Sequence, residues 1–304
     1  MANAKEIKRK IGSIKNTAKI TKAMELISTV KMKKAQDLAI EKRNFVLEMF
    51  KIFLRVEDFL SEFPLFSNKA TSGKTLAIVV TSNKGLCGGY NVNVMKKVNS
   101  YIKETGEELE YIAVGKKAAN FIVRTGNKLI ADFSEDFSDN LEPVFTKHIS
   151  ELMREEFLSG KYNKVVVFYN FYVNTIRQIP VAKVSLPIDS SDIKNYLFSI
   201  LEGHIDLEKE IEDMKNGFIY DIEPSPERLI SDVIPMILDM MFYDVLLNAK
   251  ASEHSSRMIA MKNAKDSANK IAGALTLKYN KARQASITSE VSEITAGVES
   301  MKEV

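Results

Sequence analysis

Helix breakers are missing from both ends of this 304-residue chain. No proline occurs from Met1 to Phe63, where Gly12 is the one glycine, and none from Met236 to Val304, where only Gly273 and Gly297 interrupt. All seven prolines fall between Pro64 and Pro235, together with ten of the thirteen glycines. Because proline removes a helix hydrogen bond and clashes with the preceding turn, breakers confined this way predict a long helix at each end with a folded domain between. The expected division is 1–63, 64–226 and 227–304, the middle part closing with an acidic connection over 187–226. Cysteine is nearly absent as well. Cys87 alone excludes an intramolecular disulfide and any cysteine-only metal cluster, and it suits a reducing compartment. No apolar run approaches the roughly 18 residues that a spanning helix needs. The start, MANAKEIKRK, has charge but no apolar stretch behind it, so a secretory signal is not expected. The chain is therefore read as soluble and intracellular, peripheral if it works at a membrane. Charge of one sign is lacking too: 43 basic residues against 40 acidic give a net charge of +3, too little to make nucleic acid the main partner.

What the ends do contain is a narrow apolar repeat. Ile7, Ile11, Ile14, Ala18 and Thr21 recur at alternating steps of four and three, as do Val46, Met49, Phe53, Val56 and Leu60. Ile287, Val291, Ile294, Val298 and Met301 repeat the pattern at the far end. Two positions per heptad make a coiled-coil seam rather than the broad stripe of a helix lying on a globular core. A helix of ~60 residues reaches on the order of 90 Å, which predicts that much of each projects beyond the middle domain. The simplest partner for each is the other, paired antiparallel. Two separate helices packed on the middle domain are the alternative. The C-terminal helix is also crowded with small residues from Ala249 to Ala274, where a coiled coil selected only for stability would carry Leu and Ile. Thinness is the property this favours.

The middle reads as α/β. Strands are expected at 75–81, 110–114, 164–171 and 179–186, with a helix near 92–103 and another ending at 153–158. Alternating strands and helices imply a mostly parallel sheet. In the acidic connection one short helix is expected around 207–214.

Candidate chemistry is sparse. The turn Ser82-Asn83-Lys84-Gly85-Leu86-Cys87-Gly88-Gly89 follows a strand and precedes a helix, where backbone N–H groups can hold a phosphate. Its glycine spacing matches no dinucleotide or P-loop pattern, so a tight turn is the plainer reading. His148, His204 and His254 lie in different segments without metal-ligand spacing, and none pairs with Cys87 by sequence. Glu208, Glu210, Glu212 and Asp213 read as a solvated helix face. No catalytic set, cofactor or metal is expected. The basic residues of the first helix, from Lys5 to Lys34, fit an acidic protein partner. Without aromatic residues they make a poor nucleic-acid surface, and solvated coiled-coil flanks are the remaining reading.

Three stretches carry a family resemblance. Ala249 to Val298 closely resembles the C-terminal helix of ATP synthase gamma subunits. So do Ala4-Lys5-Glu6-Ile7, Ile11, Asn16-Thr17, Lys19 to Met24 and Lys31-Met32 near the start, and the turn Lys84 to Asn91 after its strand. The resemblance implies an antiparallel coiled coil on the axis of a hexamer of alpha and beta subunits. It also implies a Rossmann-like middle domain without nucleotide that contacts the epsilon subunit and the ring of c subunits, and a shaft that turns with the ring. It implies contact roles for Arg283, Gln284 and Thr288 against beta-subunit loops, for Met24 facing an acidic loop of beta, and for Arg257 near the same region. The turns from Ile287 to Val298 are implied to sit in an apolar bearing. Peripheral attachment on the cytoplasmic side of a bacterial inner membrane is the corresponding location. The 187–226 segment looks longer than in compact members, and the paired cysteines of photosynthetic relatives are absent. An enzyme that binds nucleotide in the middle domain, and a coiled-coil adaptor for nucleic acid, stand as competing readings.

Overall fold

The computed structural model describes residues 2–41, 43–56, 63–66, 73–139, 141–201, 223 and 225–302. The elements run α1 (Ala2–Glu41), α2 (Arg43–Val56), β1 (Thr75–Val80), α3 (Tyr90–Thr105), β2 (Leu109–Val114), α4 (Lys116–Arg124), β3 (Leu129–Asp132), α5 (Pro143–Leu158), β4 (Lys164–Tyr172), β5 (Gln178–Leu186), α6 (Ser190–Leu201) and α7 (Pro226–Lys302). They form two compact units, Met1–Ser28 with Arg257–Val304, and Thr29–Ser256.

The larger unit is built on a five-stranded sheet of order β3-β2-β1-β4-β5. The pairs β2–β3, β1–β2 and β1–β4 are parallel, while β5 returns antiparallel beside β4. Strands β1 and β2 are buried at every position, as a sheet covered on both faces requires. Alternate residues serve opposite faces. Ala77, Val79, Tyr111, Ala113, Val166 and Phe168 pack with Val94 and Val98 of α3 and Ala118 and Ile122 of α4. Leu76, Ile78, Ile112, Val165 and Val167 face the other way, into a larger core with Ile149 and Met153 of α5 and Ile193 of α6. That core also takes Ile230, Ile234, Ile237 and Leu246 from the first part of α7, which carries Pro235 in its interior.

Two expectations change here. Val46, Met49 and Phe53 do not line a coiled coil; all three are buried in the core beside the sheet, on the broad apolar stripe of α2. Leu60 lies outside the described residues. Further, β3, α4 and α6 are present where no element was expected. β3 has only four half-buried or exposed residues, too few for a pattern. α6 starts where the carboxylate of Asp189 accepts the Ser191 N–H at 2.8 Å, within a stretch whose acidic composition hides it. The short helix expected around 207–214 lies outside the described residues.

In the smaller unit, α1 and α7 pair along one seam. Ile7, Ala18 and Thr21 of α1 are buried, with Ile11 and Ile14 half-buried between them. Opposite lie Met261, Ala268 and Ala272 of α7, buried, with Leu275, Tyr279 and Ala282 half-buried at steps of four and three. Both faces keep the seven-residue period of a coiled coil.

Candidate functional site

The rod seam is small and polar for a coiled coil. Thr21 Oγ1 donates to Thr17 O at 3.0 Å and lies 3.1 Å from Ala18 O, and Ser28 Oγ donates to Met24 O at 2.7 Å. Each buried hydroxyl is thus satisfied by its own helix, leaving no demand on the partner. Alanines on α7 let the backbones approach, giving the thin rod the composition favours. Lys265 Nζ lies 2.7 Å from Glu25 Oε2 across the seam, with both side chains about four-fifths buried.

The five contact positions implied by resemblance all fall in this unit. Met24 is half-buried beside Glu25, and Arg257 is buried, while Arg283, Gln284 and Thr288 are exposed on α7. Thr288 Oγ1 donates to Gln284 O at 3.0 Å, so two of those residues are linked one turn apart. Counting outward from the Glu25–Lys265 pair at one residue per residue, the start of α1 comes level with Thr288. Ile287, Val291, Ile294, Val298 and Met301 are exposed rather than seam residues, Ile294 at 67% and Met301 at 82%. Their spacing is regular, but among the described residues no helix covers them.

In the larger unit the glycine turn is filled by its own side chains. Asn91 Oδ1 accepts the Ser82 N–H at 3.0 Å, and Ser82 Oγ donates to Lys84 O at 2.6 Å. At the start of α4, Asn83 Oδ1 accepts the Lys116 N–H at 2.8 Å and Thr81 Oγ1 the Ala118 N–H at 2.7 Å. Gly115 has φ +107°, and a Cβ there would meet Thr81 O at 2.2 Å, so the turn closes on backbone. The first N–H groups of α4 are thus already bonded to side chains at the end of β1. The crevice between β1 and β4, where open α/β sheets take ligands, is spanned by α7. Tyr90 OH donates to Ala249 O at 3.1 Å, Ser252 Oγ to Asn170 O at 2.9 Å, and Ser255 Oγ to Thr175 O at 2.6 Å. Small serines on α7 thus serve the body here as contact-makers, a second reason for their abundance. Cys87 is buried in the turn and its sulfur accepts from Asn91 Nδ2 at 3.2 Å, a structural thiol.

Sequence spacing concealed one cluster. Asp139, on the loop after β3, lies beside Lys31 of α1 and Lys250, Glu253 and His254 of α7. Lys31 Nζ is 2.5 Å from Asp139 Oδ2, His254 Nε2 3.3 Å from Oδ1, and Lys250 Nζ 3.6 Å from both Asp139 Oδ1 and Glu253 Oε2. Lys250, Glu253 and His254 are almost fully buried, whereas Asp139 keeps 34% of its side chain exposed. The His254 side chain beside it, then the Lys31 bond and the nearby Lys250 ammonium, hold the Asp139 carboxyl far below the usual range against the opposing effect of burial. Asp139, Glu253 and His254 bring ligand atoms within 4.8 Å of one another, a grouping the scattered histidines did not suggest. The Lys250 ammonium already stands between the carboxylates, supplying the positive charge that an ion would bring. Glu253 and His254 lie in the SEHSSR stretch that carries part of the resemblance, the one signal that pointed here. His148 is exposed, and His204 lies outside the described residues, as do Glu208, Glu210, Glu212 and Asp213.

A protein-family model described as ATP synthase matches residues 3–301. The chain belongs to this family. Among curated members, an ATP synthase gamma chain of Akkermansia muciniphila is 34% identical over 99% of this chain and all of its own length. One from Opitutus terrae is 36% identical over 97% of this chain and 98% of its own. Family membership thus spans both long helices and the sheet together. Solved structures at lower identity share the fold. The central stalk and c-ring structure of the Tetrahymena thermophila mitochondrial ATP synthase aligns at 24% identity with a TM-score of 0.55, covering 81% of this chain and 99% of that one. A chain of the Euglena gracilis mitochondrial ATP synthase, from a structure of OSCP, F1 and c-ring, aligns at 17% identity with a TM-score of 0.64, covering 99% and 95%.

Proposed function

We propose that the chain is the central rotor shaft of an F-type ATP synthase. It carries no catalytic site of its own and couples ion-driven turning of a membrane ring to ATP synthesis or hydrolysis at a hexamer of alpha and beta subunits. The observation that carries this is the two-helix seam, in which Ala18, Thr21, Ala268 and Ala272 let the helices approach, continued by exposed apolar turns at Ile287 to Val298. A rod of this kind suits the axis of a ring better than the face of a globular core. The body's ligand crevice is spanned by α7, which favours mechanics over nucleotide chemistry.

In this reading Met24, Arg257, Arg283, Gln284 and Thr288 meet the beta subunits. The rod is drawn from the terminal segments 1–63 and 227–304, and the 64–226 body faces the epsilon subunit and the c ring. No helix among the described residues is long and apolar enough to cross a membrane. Attachment is therefore through partners, on the cytoplasmic face of a bacterial inner membrane. Native mass measurement of the assembly this chain brings down tests the reading. Three alpha and three beta subunits per copy are expected, and the isolated chain should neither hydrolyse ATP nor bind it saturably. A one-to-one complex, or saturable ATP binding, contradicts it.

A further inference from the structure

We propose that Asp139 is the pin that locks both long helices to the α/β body, so that turning the body turns α1 and α7 without slip. The proposal rests on the rotor reading. From a single loop of the body, one carboxylate engages Lys31 on α1 and both His254 and Lys250 on α7. The loop itself is held. Asn83 Nδ2 donates to Ser134 O at 2.8 Å and to Phe137 O at 2.9 Å, while the same side chain accepts from Lys116 at the start of α4. The fully buried Phe137 lies under Lys250, whose Nζ is 3.8 Å from the ring centre. The glycine turn thereby acquires a role, since through Asn83 it fastens the loop that carries Asp139.

Stability alone does not account for this arrangement. Buried charges must be desolvated, and well-packed apolar replacements are often as stable or more so. Apolar packing, however, is non-directional, and a charged contact adds a defined orientation to it. Ionic and hydrogen bonds that fan from one anchored carboxylate fix orientation, and specifying register is the best-attested use of such groups. Torque is a demand on orientation.

The test uses the assembled complex of this chain with alpha and beta subunits, the hexamer fixed to a surface. A bead is attached through Lys103→Cys on the exposed face of α3; Cys87 is buried, so labelling is selective. The angular spread of the bead is read while the complex is stalled without ATP. Asp139→Asn is expected to widen that spread about twofold, and Lys31→Met to widen it by less, in keeping with couplings between directly contacting residues. Asp139→Glu, which keeps the charge, should recover most of the stiffness. Spread at the wild-type value in both Asp139→Asn and Lys31→Met overturns the pin. If Asp139→Asn fails to fold, Lys31→Met decides alone, since Lys31 lies at the exposed end of the network. A chain that never joins alpha and beta subunits overturns the rotor reading, and the pin with it. One that joins and rotates with unchanged spread overturns only the pin.

Discussion

The two units of this molecule are stabilised in opposite ways. The body fills both faces of its sheet with Leu, Ile, Val, Tyr and Phe, most of them without any exposed surface. The rod relies on a single line of Ile, Ala, Thr and Ser, with the Glu25–Lys265 pair across it. Burial stabilises by roughly 25 cal/mol per Å² of apolar surface, so the body has ample driving force and the rod little. Slenderness and strength compete in the rod, and slenderness has won. The body, which has no such constraint, is built for rigidity.

The contrast is most sharply broken by emptying the body's core. Phe53→Ala, at a fully buried position, should cost about 3–5 kcal/mol, whereas Ile7→Ala in the rod should cost about 1–2 kcal/mol, because its cavity opens to solvent. Urea unfolding of both variants checks the ranking, and equal losses would contradict it. Next in size is Glu110, a body carboxylate bonded by Lys128 at 2.9 Å, Tyr162 at 2.7 Å and Lys74 at 3.0 Å. Those bonds, led by Lys128, lower its pKa to about 2. A depressed carboxyl contributes stability that is complete above its unfolded pKa and lost as pH falls through the folded one. Glu110→Gln should therefore cost about 1–3 kcal/mol at neutral pH, and the gap should close between about pH 4.5 and 2. A gap that stays constant on acidification would show that charge is not the cause.

The rod's thinness can be probed directly. Ala268→Leu would stabilise an ordinary coiled coil, yet in a seam closed around alanine it should cost about 1–3 kcal/mol through overpacking. A rise in melting temperature would refute close approach of the helices. The smallest effect is expected at the Glu25–Lys265 pair. A double-mutant cycle with Glu25→Gln and Lys265→Met should give a coupling of at most about 1 kcal/mol, weakened by salt.

How legible these features were follows from the same contrast. The rod's first seam, Ile7 to Thr21, could be read because a heptad is a local pattern. The identical spacing at Val46 to Phe53 misled, since periodicity does not say whether a stripe meets a helix or a sheet. At Ile287 to Met301 it misled again, because only the pairing register shows where α1 stops. Long buried strands such as β1 and β4 were legible from apolar runs, while β3 and α6 were too short or too acidic in setting. The Asp139 cluster could not be derived from spacing. Its three segments stand more than a hundred residues apart, and nothing in the spacing of Lys31, Asp139 and His254 anticipates their meeting.

The central claim is that this chain turns. With the alpha and beta hexamer immobilised and a bead on the body at Lys103→Cys, addition of ATP should produce sustained rotation in one direction. A bead that stays fixed or wanders without direction, while the hexamer hydrolyses ATP at its full rate, would contradict the rotor account.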